Sequence, residues 1–281
     1  MPDATFLTAG RSAAATAVLA RPGARLAYQV AGEGPAVVLI HGFSLDMRMW
    51  DPQAGPLAAR FRVVRYDCRG FGASGPLDPA VAYAHVDDLV ALLDHLGIED
   101  AALVGLSFGG QLAVEAALAV PARVRRLAVL SSVLDGVPWD PESWAGLKAV
   151  ARQVDAHGVL AGREAWLGHP LFATARERPA TAGPLAAMMA SYPGQHWLGQ
   201  DPHRRPGPQA FDALEDVTVP TLVLSGQRDV PGFREMSAIL AARIPGAEQH
   251  VVPGAGHMLN MEQPEIVNDL LTRFLADPGQ G

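Results

Sequence analysis

Five short apolar runs constrain the fold of this chain more than any other feature of its sequence. In order along the chain they read PAVVLIHG, FRVVRYDCRG, AALVGLS, VRRLAVLSS and PTLVLSG. Continuous apolar runs are typical of strands that are buried on both faces. Segments with helical spacing lie between them, for example residues 85–96 and 108–120. Strands that alternate with helices predict an α/β fold with a mostly parallel sheet and helices on both of its faces.

A β-hairpin is expected ahead of the first of these runs. The stretches TAVLA and RLAYQV alternate apolar and polar residues, and RPGA joins them. Two such runs on either side of a Pro-Gly turn predict an antiparallel pair of strands.

The alternation of strands and helices is interrupted between about residues 133 and 213. No strand-like run occurs there, short helical pieces such as residues 185–190 are punctuated by Pro and Gly, and four of the five tryptophans lie in this segment. This aromatic content indicates packing against other structure rather than disorder. We predict an α/β core, a helical cap inserted into it and flexible termini, with the bounds 14–132 and 214–276 for the core, 133–213 for the cap, and 1–13 and 277–281 for the termini.

The overall charge and composition exclude several classes of partner. The formal net charge is −7 and the pI is near 5.7, and no cluster of Lys and Arg is present. A nucleic-acid partner is therefore not expected. No stretch has the 18 or more apolar residues that a membrane span requires, and the N-terminus lacks the pattern of a secretory signal. We predict a cytoplasmic protein without a membrane or nucleic-acid partner, in which the only cysteine, Cys68, is buried and reduced.

Ser107 is the candidate nucleophile. It lies in LVGLSFGGQLA, directly after one apolar run and directly before a predicted helix. A G-x-S-x-G sequence in this context predicts a sharp turn that lifts the hydroxyl above the sheet, with Gly105 and Gly109 providing the space. In isolation the motif would more often be a structural turn.

A serine hydroxyl needs a base, and that base needs an orienting carboxylate. Later in the chain, LVLSGQRDVP places Asp229 just beyond a predicted strand, and HVVPGAGHMLNMEQP places His257 in a Gly-rich loop beyond another. The sequence therefore predicts Ser107, Asp229 and His257 as a catalytic triad, in that order along the chain.

This arrangement resembles the α/β-hydrolase superfamily over about residues 14–276. Further matching pieces are HGF at 41–43, YDCRGFGAS at 66–74 and GAGH at 254–257. The resemblance implies a sheet of about eight strands with an antiparallel first pair and a cap after the sixth strand. It also implies an oxyanion hole built from the backbone amides of Phe43 and Phe108.

The resemblance leaves an alternative for the triad acid, because some members take it from the end of the sixth strand, where this chain has Asp135. We favour Asp229. Three other polar residues are assigned supporting roles: His41 organises the loop of the oxyanion hole, and Asp67 with Arg69 fixes the turn after its strand.

A hydrophobic substrate is indicated by aromatic and sulfur-containing residues of the predicted cap and its surroundings. These could line a pocket or belong to the core; the candidates are Trp139, Trp144, Trp166, Met188 and Met258. Within the superfamily, HGFSLDMRMWDPQ looks most like the loop of small carboxylesterases, enol-lactonases and cofactor-free perhydrolases. We therefore expect hydrolysis of a small hydrophobic ester or lactone without metal or cofactor. The alternatives are C–C bond hydrolysis, a non-hydrolytic biosynthetic role, and a small-molecule receptor on the same fold.

Overall fold

Eight strands form a single sheet in the spatial order β1-β2-β4-β3-β5-β6-β7-β8. The computed structural model describes residues 15–138, 141–205, 207 and 209–276. The strands are β1 Ala17–Arg21, β2 Ala24–Ala31, β3 Ala36–Ile40, β4 Arg62–Tyr66, β5 Ala101–Leu106, β6 Val124–Leu130, β7 Thr221–Gly226 and β8 Glu248–Val252. β2 pairs antiparallel with both β1 and β4, and all the other pairs are parallel. The predicted hairpin and the mostly parallel sheet are confirmed.

Both faces of the sheet are covered, as the continuous apolar runs predict. In β3, Val37 and Leu39 belong to one hydrophobic cluster while Val38 and Ile40 belong to the other. Residues of five helices that flank the sheet contribute to these clusters. These helices are α1 Asp51–Ala58, α2 His85–His95, α3 Phe108–Ala119, α7 Pro231–Arg243 and α9 Pro264–Ala276, and a short helix α8, Leu259–Glu262, precedes the last of them.

The segment between β6 and β7 is helical. It contains α4 Pro141–Leu167, α5 Ala173–Arg176 and α6 Pro179–Ser191. α4 is longer than the short pieces expected from the sequence, and its 27 residues are interrupted at Gly158, whose φ of 81° lies in the left-handed region. The division of the chain into a core and a cap stays a prediction. The predicted flexible termini and Trp139 lie outside the described residues.

The carboxyl ends of the parallel strands meet at one edge of the sheet. Phe43 follows β3, Ser107 follows β5, Asp229 follows β7 and His257 follows β8, each within five residues of the end of its strand. Ligands of open α/β sheets bind outside this edge. Among the described residues, no helix is both long and apolar enough to span a membrane; the cytoplasmic location stays a prediction.

Candidate active site

Ser107 occupies a sharp turn between β5 and α3. Its φ of 56° and ψ of −115° are unusual for a residue with a side chain, and such strain is found mainly at functional sites. The turn depends on two glycines. An added Cβ at Gly105 would come within 2.1 Å of the Gly109 carbonyl oxygen, and one at Gly109 within 2.2 Å of the Ile40 carbonyl oxygen. The structure therefore has the strand–turn–helix geometry in which a serine hydroxyl is presented above a sheet.

The variant Gly109→Ala should be measurably less stable than the wild-type chain. Its methyl group would press α3 against the backbone at the end of β3, and overpacking of this kind costs about 1–3 kcal/mol. We expect the melting temperature, measured by circular dichroism, to fall by about 2–4 °C for each kcal/mol lost. Gly183→Ala in α6 is a matched control, because an added Cβ there meets nothing within 4 Å. Equal melting temperatures for the two variants would contradict the close approach at Gly109.

His257 is hydrogen-bonded to Asp229. The distance from His257 Nδ1 to Asp229 Oδ2 is 3.1 Å, and both side chains are buried. The second carboxylate oxygen of Asp229 accepts the backbone N–H of Val230 at 2.8 Å, and the edge-to-face ring of Phe233 packs on the imidazole at 4.4 Å between centroids. Because a carboxylate can only accept, Nδ1 carries the proton, which leaves Nε2 as the basic nitrogen.

Ser107 and His257 line the same cavity, whose volume is about 620 Å³. In the part of the chain that the structure describes, no hydrogen bond joins the two side chains. Catalytic hydrogen bonds are often long in a site without substrate and shorten when it binds. The structure thus brings together all three predicted triad residues, with one direct contact between His257 and Asp229.

Asp135, the alternative acid, makes a different interaction. It also borders the cavity, but its carboxylate forms an ion pair with Arg205, whose Nε lies 3.0 Å from Glu115 Oε1. Burial raises the pKa of Glu115, although Gln111 and Arg205 favour its ionised form. Asp135 is therefore part of a charged cluster on the cavity wall, while the hydrogen bond to His257 is made by Asp229.

The amides predicted for the oxyanion hole belong to Phe43 and Phe108, which both border the cavity. Among the hydrogen bonds of the described residues, neither amide N–H has a partner. His41 supports the loop before Phe43: its Nδ1 donates to the Gly42 carbonyl at 2.8 Å, and its Nε2 accepts the backbone N–H of Cys68 at 2.9 Å. Burial lowers the pKa of His41, which keeps it neutral and able to accept. These contacts suit the supporting role predicted for it.

Ser44 continues this loop in a left-handed conformation with φ of 63°. Its hydroxyl donates to the Phe43 carbonyl at 2.5 Å and accepts the indole N–H of Trp166 at 2.7 Å. The loop after β3 is thus bonded to α4 through the side chain of Trp166, which borders the cavity.

Asp67 and Arg69 act on the turn after β4 through separate partners. The Asp67 carboxylate accepts the backbone N–H groups of Met47 at 2.7 Å and Ala73 at 2.6 Å, and burial raises its pKa to about 7. Arg69 makes two hydrogen bonds of 2.8 Å to Asp88. Cys68, between them, is buried and unpaired with another cysteine.

The cavity wall is mainly apolar. Three of the candidate substrate residues, Trp144, Trp166 and Met258, line it. Met188 does not line the cavity and is buried in the hydrophobic core, with 1% of its surface exposed. The lining also includes Trp197, another tryptophan of the predicted cap, and four residues that the sequence did not indicate, namely Leu147, Leu171, Phe172 and Phe233.

Two cationic side chains also border the cavity. Arg205 is paired with carboxylates, whereas Lys148, the only lysine of the chain, lies over the ring of Trp144 with 5.2 Å between Nζ and the ring centroid. Within the described ranges, no group of three or more His, Cys, Asp or Glu side chains is arranged to hold a metal ion.

These features define a class of protein. A mostly parallel eight-stranded sheet with helices on both faces and a serine on the turn after β5 is the α/β-hydrolase fold.

Comparison with known proteins places the chain within this class. A model of the alpha/beta hydrolase family matches residues 37–270. The thermophilic esterase from Thermogutta terrifontis superposes with a TM-score of 0.78 at 33% sequence identity, covering 93% of this chain and 98% of that one. Est816, an N-acyl homoserine lactone degrading enzyme, superposes with a TM-score of 0.76 at 31% identity, covering 92% and 100%. The 3-oxoadipate enol-lactonase 1 of Acinetobacter baylyi is 26% identical, covering 91% of this chain and 94% of the relative. The chain belongs to the alpha/beta hydrolase family.

Proposed function

We propose that this protein is a serine hydrolase that cleaves a carboxylic ester or lactone of a small hydrophobic molecule through an acyl-enzyme. The observation that carries the proposal is the shared cavity: Ser107 on its sharp turn and His257, hydrogen-bonded to Asp229, border the same mainly apolar space. Three of the related proteins are named as an esterase or as enzymes acting on lactones, which supports the same bond class.

Acylation begins at the Ser107 hydroxyl. His257 Nε2 takes the hydroxyl proton as Oγ attacks the substrate carbonyl carbon, and Asp229 stabilises the imidazolium that forms. The carbonyl oxygen becomes an oxyanion, and we assign the backbone amides of Phe43 and Phe108, which border the cavity, to bind it. One such donor is typically worth about 3–4 kcal/mol in the transition state. The tetrahedral intermediate collapses when His257 returns the proton to the leaving alcohol oxygen.

Deacylation repeats these steps with water. His257 removes a proton from the water molecule, the hydroxide equivalent attacks the acyl carbon, and Ser107 leaves with the proton from His257. With a lactone, the leaving alcohol stays attached to the acyl group, so one ring-opened hydroxy acid is released.

The cavity favours a hydrophobic substrate of modest size. A volume of about 620 Å³ lies within the range of about 300–1,000 Å³ that is usual for small-molecule sites. Its aromatic walls, with Trp144, Trp166 and Trp197 on the helical segment between β6 and β7, can bury an acyl or aryl group.

The first test is trapping of the acyl-enzyme on the wild-type chain. Mixing with p-nitrophenyl acetate or butyrate should release p-nitrophenol, with a burst close to one equivalent per chain if deacylation is the slower step. Phenylmethylsulfonyl fluoride should add once, and peptide mapping should place the adduct on Ser107. No turnover with any ester or lactone, together with no adduct and tight binding of the same molecules, would instead favour a receptor.

A further inference from the structure

The loop that carries His257 is held by one buried carboxylate. Glu262, at the end of α8, accepts the backbone N–H of Gly256 on Oε2 at 2.8 Å and that of Met258 on Oε1 at 3.1 Å. These are the two residues on either side of His257. The Glu262 side chain has no exposed surface, so both bonds are shielded from competing water.

Arg178 closes the same cluster from the helical segment between β6 and β7. At the start of α6, its guanidinium donates to the backbone carbonyls of Glu262 and Gly254, both at 2.7 Å, and its Nε lies 3.9 Å from Glu262 Oε2. Burial raises the pKa of Glu262, whereas the two amides, Arg178 and His257 favour its ionised form. A buried carboxylate with two amide donors and a nearby cation is a rigid anchor.

Gly256 allows this close packing. A Cβ added there would lie 2.6 Å from Thr174 Oγ1 of α5 and 3.3 Å from Glu262 Oε1. The backbone of the histidine loop is therefore packed closely against α5, α8 and Arg178, with no room for a side chain at position 256.

We propose that Glu262 is a positioning residue for His257. It acts through the backbone: by fixing both flanking amides, its carboxylate sets the direction of the His257 side chain, while Asp229 sets the tautomer and Phe233 supports the ring. The inference rests on the proposed function, because it assigns to Glu262 the alignment of the base with Ser107. A displacement of a reacting group by about 1 Å can cost about 100-fold in rate.

The decisive variant is Glu262→Gln. It keeps the size of the side chain but offers one acceptor oxygen and turns an N–H₂ group toward the second backbone N–H. With p-nitrophenyl butyrate, kcat should fall about 10- to 100-fold, and KM should stay within about twofold because Glu262 does not border the cavity. Glu215→Gln is the matched control, since Glu215 is an exposed partner of Arg243, and it should leave both constants unchanged.

Two further measurements distinguish a role of Glu262 in positioning His257 from a general loss of folding. Hydrogen exchange followed by NMR should show the Gly256 and Met258 amides protected in the wild-type chain and faster in Glu262→Gln, with the strands of the sheet unchanged. If Glu262→Gln does not fold, Arg178→Lys replaces it: a lysine offers one nitrogen in place of the two guanidinium nitrogens that bind the separate carbonyls, so kcat should fall by a smaller factor at constant KM.

A Glu262→Gln enzyme with wild-type kcat, or one in which KM alone rises, overturns the inference. Unchanged exchange at the two amides does so as well. An inactive wild-type chain has a different meaning, since it overturns the proposed function, and amide exchange then decides whether Glu262 holds the loop.

Discussion

Ser107→Ala should reduce kcat for p-nitrophenyl butyrate by about 10⁵- to 10⁶-fold, the loss typical of a serine nucleophile in a triad. The substitution removes the only atom of Ser107 that can bond to the acyl group. His257, Asp229 and the amides of Phe43 and Phe108 are all retained, so substrate binding should change little. The fold should also persist, because the elbow is formed by the backbone and by its two glycines. Steady-state kinetics and a melting curve measure the two effects.

The control for this variant is Ser191→Ala. It deletes a hydroxyl that bonds the Met188 carbonyl near the end of α6 at 2.7 Å and should leave kcat unchanged. Ser107→Ala should also lose the burst and the sulfonyl adduct. Substantial turnover by a folded Ser107→Ala enzyme would mean that another group attacks the substrate, and the acyl-enzyme mechanism would have to be abandoned.

The strands that carry the candidate site, and the turn at Ser107, can be predicted from local patterns in the sequence. The apolar runs identify the buried strands because a parallel strand with helices on both sides has no polar face, as the fully buried β3 and β5 show. The glycines around Ser107 are informative because a Cβ at either position would collide with backbone. Once the strands are in order, their carboxyl ends bring Ser107, Asp229 and His257 to one edge.

The residues that line the cavity could not be predicted from local sequence patterns. Met188 and Met258 are equally plausible in sequence, and both are buried in the same hydrophobic cluster, but only Met258 also borders the cavity. Their difference depends on how α6 packs and on the direction of each side chain. Trp197 borders the cavity from a loop without regular periodicity. The interruption of α4 at Gly158 depends on a backbone conformation that glycine permits but does not require.

Glu262 was missed although its spacing carries a signal. It lies five residues after His257 in GHMLNME, and an acidic residue close behind a Gly-rich loop is able to accept the amides of that loop. The sequence does not show that α8 is a single turn that folds the carboxylate back onto the loop. It also does not show that Arg178, 84 positions away, binds the Glu262 carbonyl.

Asp229→Asn should lower kcat near neutral pH by about 10⁴-fold, the effect of the same change in a well-studied triad. An asparagine has one acceptor oxygen where Asp229 uses two, toward Val230 N–H and His257 Nδ1–H. Either the loop loses a bond or the imidazole takes the wrong tautomer, with its proton on Nε2.

Asp135→Asn provides the matched comparison, because it makes the same chemical change in the other candidate acid. Arg205 would keep its pairing with Glu115, and neither the nucleophile, nor the base, nor the carboxylate bonded to the base is altered. We therefore expect kcat to stay close to that of the wild-type chain. Kinetics of both variants with one ester decide between the acids. A 10⁴-fold loss in Asp135→Asn, with little change in Asp229→Asn, would reverse the assignment. It would require His257 to leave the position in which its Nδ1 lies 3.1 Å from Asp229.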